Sequence, residues 1–307
     1  GVQQDNDLLF GMEGISTFAT RDGGPFQVRL FWNSMIKPRT FMVAGDSPIK
    51  TIYDIKQGTR FAVPPGEPPK GDVYALLAWL GLKKEDVQLV EFGSMDAAVR
   101  AVPDGKADAV YWIANYPLSF ELEANPHGVR WLELDPKKDP EGAARALEVQ
   151  PMWAFGMAPE GVVPSAKGVK MILATTWYFS SQNTDSELIY HLAKWTDENY
   201  DLYKGLHSAG PNMSIDIFRG LLDAVSFPVH EGTIKYLKEK GMWTAKDDAR
   251  QAYNVNLVTQ YCNAYKNAIA EADKQEVKVD PENEAWVDLW NEYKKDIPKC
   301  KVMLEIP

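Results

Sequence analysis

Residues 64–71 are the part of the sequence best suited to binding a charged ligand. They read PPGEPPKG, and they follow a short apolar run and precede an apolar helical stretch. In an open α/β sheet, ligands bind at the carboxyl ends of strands, where the N-terminus of the next helix favours an anion. Lys70 adds a full positive charge, and Gly66 and Gly71 let the backbone approach a ligand closely. The segment predicts an anion-binding loop, with a proline-rich surface loop as the alternative.

A second strand end, at residues 111–117, carries the polar and aromatic groups of a binding site. Asn115 follows the predicted strand, so its amide could bind a solute or cap the next helix. Alternation along the strand puts Tyr111 and Trp112 on opposite faces. Trp112 and Tyr116 could therefore line a cleft or fill a core. The segment predicts further ligand contacts, with helix capping and core packing left open.

Three residues elsewhere are candidates of the same kind. Glu13 follows a predicted strand over residues 8–11, where a carboxylate could bind an amine or a cation, or remain a solvated loop charge. Trp32 and Trp153 lie near the two segments that are expected to cross between domains. They are candidate walls of a cleft, with hinge packing as the alternative.

Catalysis and metal binding find little support in the sequence. The serines lack a nucleophile-elbow context, and the four histidines lack metal-ligand spacing. The sequence therefore predicts neither an enzyme nor a cofactor. Lys70 and Glu13 would be the acid, base or nucleophile of an enzyme alternative.

Composition limits the partners. The formal net charge is −10, with 43 acidic and 33 basic side chains, which disfavours nucleic acid and anionic membranes. Attraction of an anion must therefore be local. Cys262 and Cys300 could form a disulfide or remain free thiols. We read no membrane-spanning run and no signal peptide in the sequence.

Strands that alternate with short helices predict a mostly parallel α/β sheet between residues 41 and 134. The sequence pattern changes after residue 134. Residues 135–150 are charged and irregular, and the sequence from 168 onward is mainly helical. The predicted strands are 8–11, 28–32, 40–44, 61–63, 87–92, 107–113, 129–134 and 151–158. The predicted helices are 51–56, 72–80, 95–102, 118–124, 186–204, 245–273 and 282–296.

These elements predict two lobes and a helical extension. Residues 1–40 with 153–243 form the first lobe, residues 41–152 the second lobe, and residues 244–307 an extension that packs on the first lobe. Strands near 38–44 and 151–158 cross between the lobes. Two lobes that are joined by two crossing strands make a hinge.

Three segments resemble the TAXI subfamily of solute receptors of TRAP (tripartite ATP-independent periplasmic) transporters. Residues 46–56 (DSPIKTIYDIK), 101–110 (AVPDGKADAV) and 227–243 (FPVHEGTIKYLKEKGMW) carry the resemblance, which spans roughly 1–243. The resemblance implies a two-lobed, type II-like periplasmic receptor that delivers a small organic acid or amino acid to an ion-driven TRAP permease. By position it assigns ligand contacts to Glu13 with Met12 and Gly14, to Pro65, Gly66, Glu67 and Lys70, and to Trp112 and Asn115.

The sequence departs from that family in three ways. The usual N-terminal βα unit has no recognised counterpart, proline, glutamate and lysine replace small hydroxyl residues in loop 64–71, and residues 244–307 extend past the usual end. A sensor or other binding module that serves no transporter therefore stays open, as does an enzyme of type II fold. The receptor and its organic anion are the leading hypothesis.

Overall fold

The computed structural model describes residues 1–65, 68–207 and 209–301, with Pro68 and Pro69 described by their backbone alone. The chain forms two compact units. Unit 1 contains Gly1–Met35 and the residues from Thr175 onward, and unit 2 contains Ile36–Ala174. The chain passes between them twice, within the strands Val28–Ala44 and Lys170–Ser181. The predicted lobe boundaries lie at 40/41 and 152/153, and that assignment of lobes stays a prediction.

Helices and strands alternate through unit 2, whereas unit 1 is mainly helical. The strands are β1 (Val2–Gln4), β2 (Val28–Ala44), β3 (Arg60–Val63), β4 (Gln88–Glu91), β5 (Ala109–Ile113), β6 (Val129–Trp131), β7 (Phe155–Met157) and β8 (Lys170–Ser181). The helices are α1 (Asp5–Glu13), α2 (Pro68–Leu80), α3 (Met95–Ala101), α4 (Pro117–Glu123), α5 (Pro140–Val149), α6 (Ser186–Glu198), α7 (Tyr200–Tyr203), α8 (Ile215–Leu221), α9 (Glu231–Glu239), α10 (Ala245–Lys274) and α11 (Glu284–Lys294).

The parallel α/β arrangement that the sequence predicts is confirmed in unit 2. Strand β3 pairs in parallel with β4 and with β5, while β2 runs antiparallel to β5 and to β6. The carboxyl ends of β3, β4 and β5 therefore lie along one edge of the sheet, at Val63, Glu91 and Ile113. We call this line the carboxyl edge.

The two faces of this sheet bury different cores, as the predicted alternation requires. Tyr111 packs with Phe41, Phe61 and Trp79 on the face that α2 and α5 cover. Trp112 packs with Val110 and residues of α3 and α4 on the other face. Successive residues of a strand point to opposite faces, so one residue of slip in β5 would exchange these two rings.

Polar side chains of α10 hold the backbone of residues 225–230 in unit 1, which include the start of the family-like segment 227–243. Gln251 accepts a hydrogen bond from the N–H of Val229 and donates one to its carbonyl, each at 2.8 Å. Asn254 is 1% exposed and donates to the carbonyls of Val225 and Phe227, each at 3.2 Å. The loop thus has its polar backbone groups satisfied by a helix, as buried backbone requires.

Some predicted elements were wrong. Residues 8–11 lie in helix α1, not in a strand, since Asp5 and Asp7 begin a helix whose first turn favours acidic side chains. The stretch 135–150 contains α5, which Asp139 caps by accepting the N–H of Gly142 at 2.8 Å. Helix α2 begins at Pro68, four residues before the predicted start at Asp72. Two predicted strands, 28–32 and 40–44, are parts of the single strand β2.

Both cysteines are free thiols, with Cys300 buried and Cys262 partly exposed. Within the ranges that the structure describes, no helix is long and apolar enough to cross a lipid bilayer.

Candidate functional site

Lys70 places a positive charge at the carboxyl edge of unit 2. It lies in the first turn of α2, and its ammonium group pairs with the carboxylate of Glu91 at 2.8 Å. Glu91 is the last residue of β4, so this contact fixes Lys70 at the strand end. The Lys70 side chain is 15% exposed and Glu91 is 55% exposed. A charge that is shielded this far from water interacts more strongly with a ligand than one on an open surface.

The start of α2 offers few backbone donors. The first four N–H groups of a helix have no partner within the helix, but two of these positions are the prolines Pro68 and Pro69. The N–H groups of Lys70 and Gly71 are therefore the donors of this turn. A side chain at Gly71 would be crowded, because a Cβ there would lie 2.8 Å from Nε2 of Gln150.

Asp72 forms a cluster with Trp153, Tyr111 and Arg39, which we call the Asp72 cluster. Its Oδ1 accepts a hydrogen bond from the indole N–H of Trp153 at 3.0 Å. Burial raises the pKa of Asp72 to about 6, while the Trp153 N–H and the charge of Arg39 act in the opposite direction. Part of the Asp72 side chain still reaches solvent. The carboxyl group therefore changes charge close to neutral pH.

Tyr111 completes the cluster from β5. Its ring stacks on Trp153 with centroids 6.2 Å apart, and it is 9% exposed. Burial, and after it the charge of Asp72, raise the pKa of Tyr111 well above its ordinary value, while Arg39 lowers it. Tyr111 therefore keeps its proton and can donate it in a hydrogen bond. An acid, a cation, a phenol and an indole lie together.

Asn115 and Tyr116 follow the carboxyl end of β5. The amide of Asn115 donates to the carbonyl of Ile36 at 3.2 Å, which ties the loop to β2. The N-cap of α4 is Tyr116 rather than Asn115, and its side chain makes no cap hydrogen bond. Tyr116 is 47% exposed and contacts the ring of Trp112 edge to face at 5.3 Å. Tyr116 therefore presents an aromatic surface to solvent at this end of the strand.

Trp32, Trp112 and Trp153 are packed side chains rather than solvent-facing walls. Trp32 is 1% exposed, stacks on Phe218 at 4.4 Å and donates to the carbonyl of Met213 at 2.9 Å in unit 1. Trp112 is 5% exposed and donates to Oγ of Ser119 at 2.9 Å. Trp153 is 3% exposed and donates its indole N–H to the carboxylate of Asp72. Their predicted ligand contacts stay predictions.

Glu13 lies in unit 1, at the last residue of α1, where Gly14 ends the helix with a left-handed φ of 56°. The Glu13 carboxylate accepts the backbone N–H of Cys300 at 3.0 Å. Its carbonyl accepts from the indole of Trp290 at 2.8 Å and from Lys294 at 3.1 Å. Burial raises the pKa of Glu13, against the effects of the Cys300 N–H and of Lys294. Glu13 thus anchors the residues that follow α11.

The remaining predicted contacts lie in loop 64–71. Pro65 is exposed after β3, and Gly66 and Glu67 lie outside the described residues. Sequence reasoning missed three members of the Asp72 cluster. Asp72 was expected only as the first residue of the predicted helix 72–80, and Tyr111 was placed on a sheet face. Nothing in the sequence pointed to Arg39. Two prolines before Asp72 were the available sign that the helix begins earlier.

Metal binding has no support in the three described ranges, which hold no group of three or more His, Cys, Asp or Glu side chains suited to an ion.

The chain belongs to the NMT1-like family, whose model matches residues 9–241. That match includes the last five residues of α1, the whole of unit 2 and residues 225–230, and it ends before α10. No curated protein is similar to the chain in sequence.

Several solved structures are similar to the chain at low identity. A periplasmic sulfonate-binding protein of a putative ABC transporter from Methylobacillus flagellatus KT is 17% identical over 100% of this chain and 78% of its own, with a TM-score of 0.39. An ABC-transporter periplasmic binding protein from Brucella ovis, with glutathione bound, is 14% identical over 59% and 44%, with a TM-score of 0.33. The desulfurization enzyme DSZB is 15% identical over 85% of each chain, with a TM-score of 0.37.

The chain spans less than two thirds of the length of the first solved structures that it matches, for example 44% of the Brucella protein and 60% of a Bacillus subtilis amino-acid-binding protein.

Proposed function

We propose that this chain is an extracytoplasmic solute receptor and that a small organic anion binds at the carboxyl edge of unit 2. The observation that carries the proposal is the position of Lys70, held at the strand ends by Glu91 at 2.8 Å beside the start of α2. Membership of the NMT1-like family supports a binding protein over an enzyme.

Local charge supports an anion in spite of the net charge of −10. Lys70 pairs with Glu91 at the end of β4, Arg39 lies opposite Ile113 at the end of β5 and interacts with Asp72, and the N-terminus of α2 adds a partial positive charge. The Lys70 and Gly71 N–H groups can donate to a carboxylate, and the exposed ring of Tyr116 can cover an apolar part of the solute. A carboxylate or an amino acid has both of these features.

The partner that we propose is a TRAP-type permease, which couples uptake to an ion gradient. The resemblance of residues 46–56, 101–110 and 227–243 to TAXI receptors supports this choice. An ABC permease, as in the systems of the sulfonate-binding and glutathione-bound proteins, is the competing partner. Uptake by cells that express the chain with its permease separates the two, because an ionophore abolishes the first kind of transport and ATP depletion the second.

An enzyme would need a free acid, base or nucleophile. Lys70 and Glu13 were the candidates from the sequence, and the structure engages Lys70 with Glu91 and Glu13 with Cys300. The Asp72 carboxyl, with its pKa of about 6, is the group that favours an enzyme as the second candidate function. If the protein converts its bound solute to a product, and if Asp72→Asn abolishes that turnover, the chain is an enzyme rather than a receptor.

The experiment that tests the proposal is native mass spectrometry of gently purified protein, followed by release and identification of the bound molecule. We expect a carboxylate or amino acid at one per chain, retained in Lys106→Ala and lost in Lys70→Ala. Lys106 is a matched control because it precedes β5 at the opposite edge, where it pairs with Asp104 at 2.9 Å. An empty protein with no thermal shift in an organic-acid and amino-acid panel would contradict the proposal.

A further inference from the structure

Asp72 follows directly after the two backbone donors of the proposed anion site. The N–H groups of Lys70 and Gly71 are the donors in the first turn of α2, and Asp72 is the next residue of the same turn. Because neighbouring Cα atoms are about 3.8 Å apart, an anion that accepts these N–H groups lies close to Asp72. Two negative charges at such a separation repel each other. Binding of the anion and ionisation of Asp72 therefore oppose each other.

Several elements of unit 2 bring side chains to this region. At the end of α5, the neutral amide of Gln150 lies beside Gly71, and the uncharged indole of Trp153 contacts Asp72. The charged and titratable side chains are Lys70 on α2, Arg39 on β2, Glu91 on β4 and Tyr111 on β5. Glu91 is engaged with Lys70 at 2.8 Å, and Tyr111 keeps its proton. Asp72 is therefore the group of this region whose charge changes close to neutral pH.

One oxygen of the Asp72 carboxyl group can take a proton without a change in its contacts. Oδ1 accepts the indole N–H of Trp153 at 3.0 Å. Oδ2 makes no hydrogen bond with any residue that the structure describes, and Asp72 is partly exposed. A proton from solvent can therefore reach Oδ2 while the hydrogen bond to Trp153 stays intact. Burial of most of the group favours the neutral form and raises the pKa of Asp72 to about 6.

Protonation of Asp72 also changes the charge that Arg39 presents. Arg39 lies opposite Ile113 at the end of β5, and its positive charge interacts with both Asp72 and Tyr111. Since Tyr111 is neutral, Asp72 is the negative charge that offsets Arg39 within the Asp72 cluster. When Asp72 takes up a proton, the net charge of the cluster changes from zero to positive. The protonated cluster therefore attracts an anion at the carboxyl edge, whereas the ionised cluster does not.

We propose that the solute binds together with one proton, which Asp72 takes up from solvent, so that the affinity for an anion rises as the pH falls below neutral. Because the solute and its site are those of the proposed function, the coupling rests on that function. The coupling is reciprocal: the bound anion makes Asp72 hold its proton more tightly, and the proton makes the anion bind more tightly. Such a receptor loads in mildly acidic surroundings and releases its solute as the pH rises.

Calorimetric titration at pH 5.5 and pH 7.5 tests the coupling. The probes are the organic acids and amino acids of the panel whose charge is constant over this range, among them pyruvate and glutamate. If the bound anion makes Asp72 hold its proton about tenfold more tightly, the wild-type dissociation constant should be roughly sixfold higher at pH 7.5 than at pH 5.5. Titrations near pH 6.5 in two buffers of different ionisation enthalpy should show proton uptake, up to about one per solute.

Asp72→Asn and Asp139→Asn are the matched variants. Asp139 also accepts an indole N–H, from Trp79 at 2.9 Å, but Trp79 lies seven residues after Asp72 on α2. Asp139 caps α5, and asparagine is an equally good cap. We expect Asp72→Asn to bind with the same affinity at both pH values and to take up no proton. Asp139→Asn should keep the pH dependence and the proton uptake of the wild type.

The outcomes separate this coupling from the proposed function. A solute that Lys70→Ala fails to bind, but that binds the wild type equally at both pH values without proton uptake, overturns the coupling and leaves the receptor in place. Proton release, or a pH dependence that Asp72→Asn retains, also overturns the coupling. If no member of the panel binds the wild type at either pH, both proposals fail. The proton count of the wild type needs no variant to fold, so its absence is decisive by itself.

Discussion

Glu13 in unit 1 and Asp72 in unit 2 are two acidic residues at helix ends, and burial raises the pKa of both. Their helix ends differ. Glu13 closes the C-terminus of α1, where the helix dipole disfavours a negative charge, and it is stabilised by the N–H of Cys300 and by Lys294. Asp72 lies near the N-terminus of α2 with the Trp153 indole and Arg39.

The comparison shows that the surroundings of a carboxyl group decide its role. The groups around Glu13 come from the C-terminal segment, so Glu13 connects α1 to residues beyond α11. The groups around Asp72 lie beside Lys70 at the carboxyl edge, where Tyr116 is also exposed. We therefore expect changes near Glu13 to alter stability and changes near Asp72 to alter binding and its pH dependence.

The largest expected effect is the loss of Trp290 from unit 1. Trp290 is 2% exposed, contacts Tyr265 edge to face at 4.8 Å and donates to the Glu13 carbonyl. Trp290→Ala should lower the free energy of unfolding by about 3–5 kcal/mol, because it leaves a large cavity in a packed core. Urea unfolding measures this, with Phe120→Ala as the control, because Phe120 is 45% exposed on α4. A decrease in the free energy of unfolding of less than about 1 kcal/mol would contradict the role of Trp290 in holding α11 to the end of α1.

The next effect distinguishes Asp72 by its pH dependence. Its pKa is about 6 in the fold against an ordinary value of 3.8, so the folded state binds the proton more tightly than the unfolded state does. The Asp72 contribution to stability is therefore largest at low pH and is lost as pH rises towards 6. Asp72→Asn should be more stable than the wild type at pH 7 by about 1–3 kcal/mol.

Thermal or urea unfolding at several pH values checks this, since the difference between Asp72→Asn and the wild type should vanish as pH falls below 4. A variant that is less stable than the wild type at pH 7 would show that the ionised carboxylate is needed by the fold. The partly exposed position of Asp72 places the effect nearer the lower limit.

A smaller effect of opposite sign is expected from His230 in unit 1. His230 is 1% exposed and caps α9 by accepting the N–H of Gly232 at 3.2 Å. Burial lowers the pKa of His230, so its neutral form is the one that the fold keeps. Its contribution is present above pH 6.5 and is lost as pH falls, up to about 1 kcal/mol for an N-cap.

His230→Asn keeps an acceptor at the cap and removes the titration. The difference in unfolding free energy between the wild type and His230→Asn should therefore change between pH 7 and pH 5. The wild type should lose more stability than the variant as the pH falls. A difference that is independent of pH would show that protonation of His230 does not reach the cap.

Much of unit 2 could be predicted from the sequence, because its strands are short apolar runs that turn signals interrupt. The alternation in β5 gave the correct opposite faces for Tyr111 and Trp112. Helix starts that contain proline were harder to predict from the sequence. Pro68 and Pro140 suggested loops, yet both occupy a first turn, where the missing N–H costs nothing.

The contacts of the candidate site were less predictable than its location. The position of Lys70 near a strand end followed from the chain order, but its partner Glu91 belongs to the next strand. Arg39 reaches Asp72 only because β2 pairs with β5, a contact between residues far apart in sequence. The helix at residues 8–11 was missed because four apolar residues fit a strand and a helix equally well.

The most direct test of the central claim is calorimetric titration of the identified solute into wild type, Lys70→Ala and Lys106→Ala. A solute at the carboxyl edge of unit 2 predicts an affinity that is roughly 10- to 100-fold weaker in Lys70→Ala, the worth of a hydrogen bond to a charged group, and unchanged in Lys106→Ala. All three chains should unfold at similar temperatures. Equal affinity of Lys70→Ala and wild type would contradict the site.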